Sequence, residues 1–165
     1  DGKQYGINIH YYYEENILGT AGAIEAFYHF INKYPFYVIY GDNYTQIDLK
    51  VLFQFHKKNK SDFTIAMHYR DDISQSGVLE YSDTFRITNF VEKPKTQTIN
   101  SKWVNAGVYL IEPSILKGMM KEGMDFGIDV IPHLIDISAN VYGFKIKSSI
   151  IAIDTPELYK CYNNQ

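Results

Sequence analysis

Cysteine is nearly absent: Cys161 is the only one in 165 residues, which excludes an internal disulfide and is consistent with a reducing, cytoplasmic setting. No apolar run approaches the ~20 residues of a membrane-spanning helix, and no signal-peptide pattern opens the chain. A membrane partner is therefore not expected. Positive charge is not in excess either. With a net charge of -3 and a pI near 5.9, the chain lacks the basic footprint of a nucleic-acid binder. No internal repeat, low-complexity tract or linker divides it. At 45% apolar, residues 1–165 read as a single domain able to bury roughly 70% of its unfolded surface.

Against these absences stands one strong feature, the apolar run Phe36-Tyr37-Val38-Ile39-Tyr40, which stops at Gly41-Asp42-Asn43. Its β-branched and aromatic residues between Pro35 and Gly41 suit a strand covered on both faces, as in a parallel sheet. Asp42 then lies at the carboxyl end of that strand. In open α/β sheets ligands bind along that edge, so an acid there is a candidate metal or phosphate-site residue. Gly-Asp-Asn is also ordinary turn chemistry, and the run alone leaves both readings open.

The remaining chain alternates between periods. Ile7–Tyr13 reads as a strand. A helix follows from Thr20, with Ile24, Phe27, Tyr28 and Ile31 on one face and Pro35 beyond its end. Its amino end, Leu18-Gly19-Thr20-Ala21-Gly22-Ala23, has only small residues after Leu18, so backbone can approach a flat or anionic ligand. Asp48 can cap a second helix whose stripe is Leu49, Leu52, Phe53 and His56. No other His, Cys or acid joins His56 at metal spacing, so it reads as a packed histidine.

Phe63–Tyr69 is the next strand, and strand–helix alternation to this point argues for a parallel sheet. Gly77–Tyr81 and Arg86–Val91 flank Ser82-Asp83 as an antiparallel hairpin. Trp103–Ile111 is a strand with a glycine in its middle, and Pro113 opens a short helix. A helix over 129–139 has Asp129 as cap and Pro132 in its first turn. Strands Val141–Lys147 and Ser149–Ile153 follow. The second ends at Asp154, and Thr155-Pro156-Glu157 opens the last helix. Asp154, like Asp42, is a carboxylate at a strand end.

The order of these segments resembles one family. Leu18-Gly19-Thr20-Ala21-Gly22, Gly41-Asp42, Gly77-Val78, Phe90-Val91-Glu92-Lys93-Pro94, Val104-Asn105-Ala106-Gly107-Val108-Tyr109, Phe126-Gly127-Ile128-Asp129-Val130-Ile131-Pro132 and Asp154-Thr155-Pro156-Glu157 resemble the sugar-nucleotide pyrophosphorylases, or sugar-1-phosphate nucleotidyltransferases. The resemblance implies a Rossmann-like, mixed but mostly parallel sheet with flanking helices. It implies transfer of a nucleotidyl group from a nucleoside triphosphate to a sugar 1-phosphate, with release of pyrophosphate. It places Leu18, Gly19 and Thr20 against the nucleobase, and Gly77, Glu92 and Asn105 on the sugar hydroxyls. Lys93 would grip the sugar phosphate, and Asp42 and Asp154 would share Mg²⁺, a hard cation content with one or two carboxylates plus phosphates and water. The base loop and the Phe-Gly-x-Asp-Val-Ile-Pro segment look closest to guanylyltransferases acting on mannose or heptose 1-phosphate. Thymidylyl and uridylyl relatives carry similar loops.

The family's opening signature, a loop of the type Gly-Gly-x-Gly-Thr-Arg-Leu, has no counterpart here, and no Gly-x-Gly occurs among the eleven glycines. The expectation is that the chain is the carboxyl-terminal part of a nucleotidyltransferase domain, lacking at least about two strand–helix units of about thirty residues each, and inactive alone. Such a segment would associate with a second copy or with the missing amino-terminal part. Two other classes stay open: a non-catalytic module that binds a nucleotide sugar or partner chain, and a metal-dependent glycosyltransferase, against which Glu-Lys-Pro and Asp-Thr-Pro-Glu speak.

Overall fold

The apolar run Trp103–Ile111 (β6) is the spine of the sheet. In the computed structural model, which describes residues 2–95, 99–147, 150–153 and 155–163, Val104, Ala106 and Val108 through Ile111 of this strand are fully buried. On one side β6 pairs with Phe63–Tyr69 (β3). On the other it pairs with Phe36–Ile39 (β1) along its carboxyl half and with Gly77–Tyr81 (β4) at Val104. Outward of these, β4 pairs with Ile87–Glu92 (β5) and β3 with Val141–Lys145 (β7). A small separate ribbon joins Asn43–Tyr44 (β2) to Ile151–Ala152 (β8).

The expected mixed α/β layer with flanking helices is present, but the sheet is not mostly parallel. Among the described strands, β3 with β7 is the one parallel pairing. The strands β1, β3, β4 and β7 do run in one direction, as the strand–helix rhythm requires. They meet antiparallel neighbours because β6, arriving later in the chain and running the other way, inserts between β1 and β3. Nor is β1 covered on both faces: it is only half-buried and Ile39 is 50% exposed.

The helix Leu49–Lys58 (α3) forms where expected. Asp48 Oδ1 accepts from Lys50 N and Val51 N at 2.9 and 3.2 Å, and His56, Lys57 and Lys58 fall in the last turn, where cations suit the helix dipole. His56 is fully buried on its apolar face. Its Nδ1 lies 2.8 Å from Thr64 Oγ1 and its Nε2 3.4 Å from Glu112 Oε1, so it is a packed, hydrogen-bonded histidine. First-turn prolines open both Pro113–Leu116 (α4) and Pro156–Asn163 (α6), and no described helix is long and apolar enough to cross a membrane.

Three further expectations differ from the structure. The long helix after Thr20 is two single turns, Gly22–Glu25 (α1) and Tyr28–Ile31 (α2). Its stripe is only half-buried, and short helices depend on packing of that face. The strand over Ile7–Tyr13 is absent; Tyr11 and Tyr13 are at least 80% exposed, and alternation without a neighbouring sheet edge does not make a strand. The third concerns Asp129. Asp125, rather than Asp129, is the cap: its Oδ1 accepts from Gly127 N and Ile128 N at 2.7 and 3.1 Å, while Asp129 Oδ2 reaches back to Asp125 N at 2.7 Å. A π-helical turn, Phe126–Val130, precedes the α-helix Ile131–Asp136 (α5). Pro132 falls in the first turn of α5, as expected, where its missing N–H is tolerated.

Beneath α5, Phe63, Tyr109 and Phe126 form an aromatic core with ring centroids 5.0 to 6.0 Å apart. This core underlies the cavity described next.

Candidate functional site

A cavity of about 700 Å³ opens at the sheet edge where β1 and β3 end. Seven separated segments supply its polar lining: Thr20; Tyr40, Asp42 and Asn43 after β1; His68 to Arg70 at the end of β3; Ser76 and Gly77; Glu92 and Lys93; Asn105; and Asp125 with Gly127. Convergence of distant residues at a carboxyl edge is the arrangement in which α/β sheets hold ligands.

Lys93 sits at φ 43°, a left-handed conformation rare for a residue with a side chain. Its N–H donates to Ser76 O at 3.1 Å, and that bond to the start of β4 holds the unusual backbone. Arg70 Nη1 donates to Ser76 Oγ at 3.5 Å. Ser76 thus joins the backbone of Lys93 and the side chain of Arg70, two cationic residues of the cavity lining.

Glu92 fills a slot made by two glycines. A β-carbon on Gly77 or Gly127 would stand 2.7 or 2.6 Å from Glu92 Oε2, so the missing side chains are what admit the carboxylate. Burial pushes Glu92 above the usual carboxylate range; Lys93 opposes the shift and Asp125 adds to it. Such an acid is suited to accepting hydrogen bonds from hydroxyl groups. Burial also holds His68, on the cavity wall, below the ordinary histidine range, helped by Arg70.

Asn105 is placed by a bulge. Ile65 faces Tyr109 and Met67 faces Asn105, so four residues of β6 pass two of β3. Gly107 absorbs the distortion with φ 67°, its N–H donates to Asn105 Oδ1 at 3.0 Å, and a β-carbon there would meet the Tyr40 ring at 3.0 Å. The glycine noticed in the middle of this strand is thus what turns Asn105 into the cavity.

Of the residues singled out from sequence, Thr20, Asp42, Gly77, Glu92, Lys93 and Asn105 line this one cavity, while Leu18 and Gly19 are not among its lining residues. Leu18 O instead accepts from Gly123 N at 2.7 Å, and Gly19 packs against Gly123 and Met124. Asp154 lies outside the described residues. Sequence reasoning missed Tyr40, Tyr109 and Asp125. Tyr40 directly precedes Gly41-Asp42, and Asp125 precedes a helix start, which were the available signals; nothing marked the hydroxyl of core Tyr109.

Among the described residues no group of three or more His, Cys, Asp and Glu side chains could hold a metal ion. A magnesium ion bound mainly by phosphates and water needs fewer protein ligands. Asp42, exposed at the cavity edge, fits that donor set. Its backbone carbonyl accepts from Ile153 N at 2.8 Å, tying the end of β8 to it.

A glucose-1-phosphate adenylyltransferase of Clostridium novyi is 35% identical over 77% of this chain and 36% of its own length. A mannose-1-phosphate guanyltransferase of Aspergillus fumigatus is 34% identical over 70% of this chain and 32% of its own length. The chain therefore spans about a third of the length of these relatives. The crystal structure of HddC from Yersinia pseudotuberculosis complexed with GMP-PN superposes with a TM-score of 0.73 at 28% identity, covering 92% of this chain and 65% of that one. The family model described as nucleotidyl transferase matches residues 1–149. The chain belongs to the nucleotidyl transferase family.

Proposed function

We propose that this cavity is the sugar-phosphate half of a sugar-1-phosphate nucleotidyltransferase site. The observation that carries the reading is the meeting of Asp42, Glu92, Lys93, Asn105 and Gly77 in one cavity from separate strands. Relatives named for glucose 1-phosphate and mannose 1-phosphate support it. A phosphate oxygen of the sugar 1-phosphate attacks the α-phosphorus of the nucleoside triphosphate; the bond from that phosphorus to its bridging oxygen breaks, and pyrophosphate leaves with the electron pair. No protein nucleophile is required, because positioning and charge neutralisation supply most of the catalysis in such transfers.

Each residue then has a task. Glu92 and Asn105 hold sugar hydroxyls. Lys93, with Arg70 across Ser76, holds the sugar phosphate as the attacking oxygen is aligned. Thr20, with Leu18 and Gly19, belongs to the segment proposed to meet the base. Asp42, with Asp154 as its partner, would hold a magnesium ion, which when bound neutralises phosphate oxygens.

The test is pyrophosphate release by the protein with each of the four common nucleoside triphosphates, in the presence of glucose 1-phosphate or mannose 1-phosphate and Mg²⁺. Release that needs both substrates supports the reading. No release in any combination, together with no binding of either sugar phosphate, overturns it.

A further inference from the structure

Tyr109 is fully buried among Phe63 and Phe126, where phenylalanine would pack equally well and avoid burying a hydroxyl. That hydroxyl lies directly under the cavity. Asn105 Nδ2 donates to it at 2.6 Å, and it donates to Tyr40 Oη at 3.3 Å. In a regular strand residues four apart are separated by about 13 Å; the Gly107 bulge is what brings Asn105 and Tyr109 together.

The direction of every bond follows from its ends. Gly107 N–H can only donate, so the Asn105 atom facing it is Oδ1, and Nδ2 must face Tyr109. Tyr109 Oη therefore accepts from Asn105 and its own proton goes to Tyr40. A single directed chain runs from Asn105 through Tyr109 to Tyr40. Burial raises both tyrosines above their ordinary range, which keeps their protons in place.

We infer that Tyr109 and Tyr40 are positioning residues that lock the Asn105 amide, so that it shows the cavity one N–H and one carbonyl lone pair, a match for two adjacent hydroxyls of a sugar ring. The inference rests on the proposed sugar-phosphate site. Asn105 has two N–H donors and two carbonyl lone pairs; Tyr109 and Gly107 take one of each, leaving the complementary pair. Without Tyr109 the amide is free to rotate or to be pulled by solvent, and the pairing with a diol loses its fixed sense.

The test pairs a ligand-free measurement with a binding measurement. In ¹⁵N–¹H spectra of the unliganded protein, Tyr109→Phe should shift one of the two Asn105 Nδ2 protons. Tyr40→Phe, one step along the chain, should shift the same proton by a smaller amount. In calorimetric titration with glucose 1-phosphate and mannose 1-phosphate, Tyr109→Phe should weaken binding of the preferred sugar phosphate on the order of tenfold, the value of one hydrogen bond, and leave triphosphate binding unchanged. In an Asn105→Ala background Tyr109→Phe should cost nothing further. An Asn105 amide unmoved in both variants overturns the relay, as does an equal loss with and without Asn105. If the wild type binds neither sugar phosphate, the proposed site fails while the amide shifts still decide the relay. Should Tyr109→Phe not fold, Tyr40→Phe alone decides by the same two readouts.

Discussion

Glu92 and Gly127 contend for one volume: a β-carbon on Gly127 would stand 2.6 Å from Glu92 Oε2. The carboxylate leans over bare backbone at the start of the π-helical turn, so the position of this acid depends on a missing side chain in a distant segment.

Gly127→Ala should therefore separate stability from ligand binding. Alanine gains up to about 1 kcal/mol of helical preference over glycine, and the atom it meets is the movable end of a side chain. The melting temperature should change little or rise. Affinity for the sugar phosphate should fall about tenfold as Glu92 is displaced, read by calorimetry; an unchanged affinity would show that the leaning position of Glu92 is irrelevant to the ligand.

Glu92→Gln should stabilise the protein at neutral pH. Burial raises the folded-state pKa of Glu92, so its favourable contribution is complete below the unfolded carboxylate value of about 4.3 and is lost as pH rises through the folded value. At pH 7 the ionised, half-buried group is a cost. The neutral amide should recover on the order of 0.5 kcal/mol, seen as a higher denaturation midpoint at pH 7 that vanishes near pH 4, with weaker sugar-phosphate binding throughout.

His56 gives the opposite sign. Burial lowers its pKa, outweighing Glu112, so its contribution is complete above the unfolded histidine value of about 6.5 and is lost as pH falls through that value toward the folded one. His68, also lowered by burial, adds to the same trend. Urea midpoints measured from pH 7.5 down to 5.5 should fall. In His56→Asn the fall should be smaller, from a baseline lowered by about 1–3 kcal/mol for the polar partners left at Thr64 and Glu112.

Asp125→Ala removes two tethers at once, the cap on Gly127 N and Ile128 N and the acceptor for Thr20. Loss of a cap alone costs about 1 kcal/mol, and a total nearer 2 kcal/mol is expected in chemical denaturation. Thr20→Val should reproduce only the smaller share.

In a protein that carries this segment together with the triphosphate-binding loop, Asp42→Asn should leave the fold intact, since the side chain is exposed, while lowering Mg²⁺-dependent pyrophosphate release at least about 100-fold. Turnover near wild type would remove Asp42 from the metal-binding role.

Elements were legible wherever local chemistry was strong. Asp48 before an apolar stripe, the Ser82-Asp83 turn between two β-rich runs, and prolines opening α4 and α6 all act over a few residues. The strand Ile7–Tyr13 and the unbroken helix after Thr20 were misread because alternation and stripe stabilise structure only when something covers them.

Asp42, Glu92, Lys93 and Asn105 of the cavity could be picked from residue order, because their types and sequence neighbours carry the chemistry. Their meeting could not. Tertiary structure decided that β6 inserts antiparallel between β1 and β3, that the Gly107 bulge aims Asn105 into the cavity, and that Gly77 and Gly127 admit Glu92. It also set the Tyr109 hydroxyl beneath the site. Each of these joins residues far apart in the chain or depends on a local break in strand register, and pattern along one segment is blind to both.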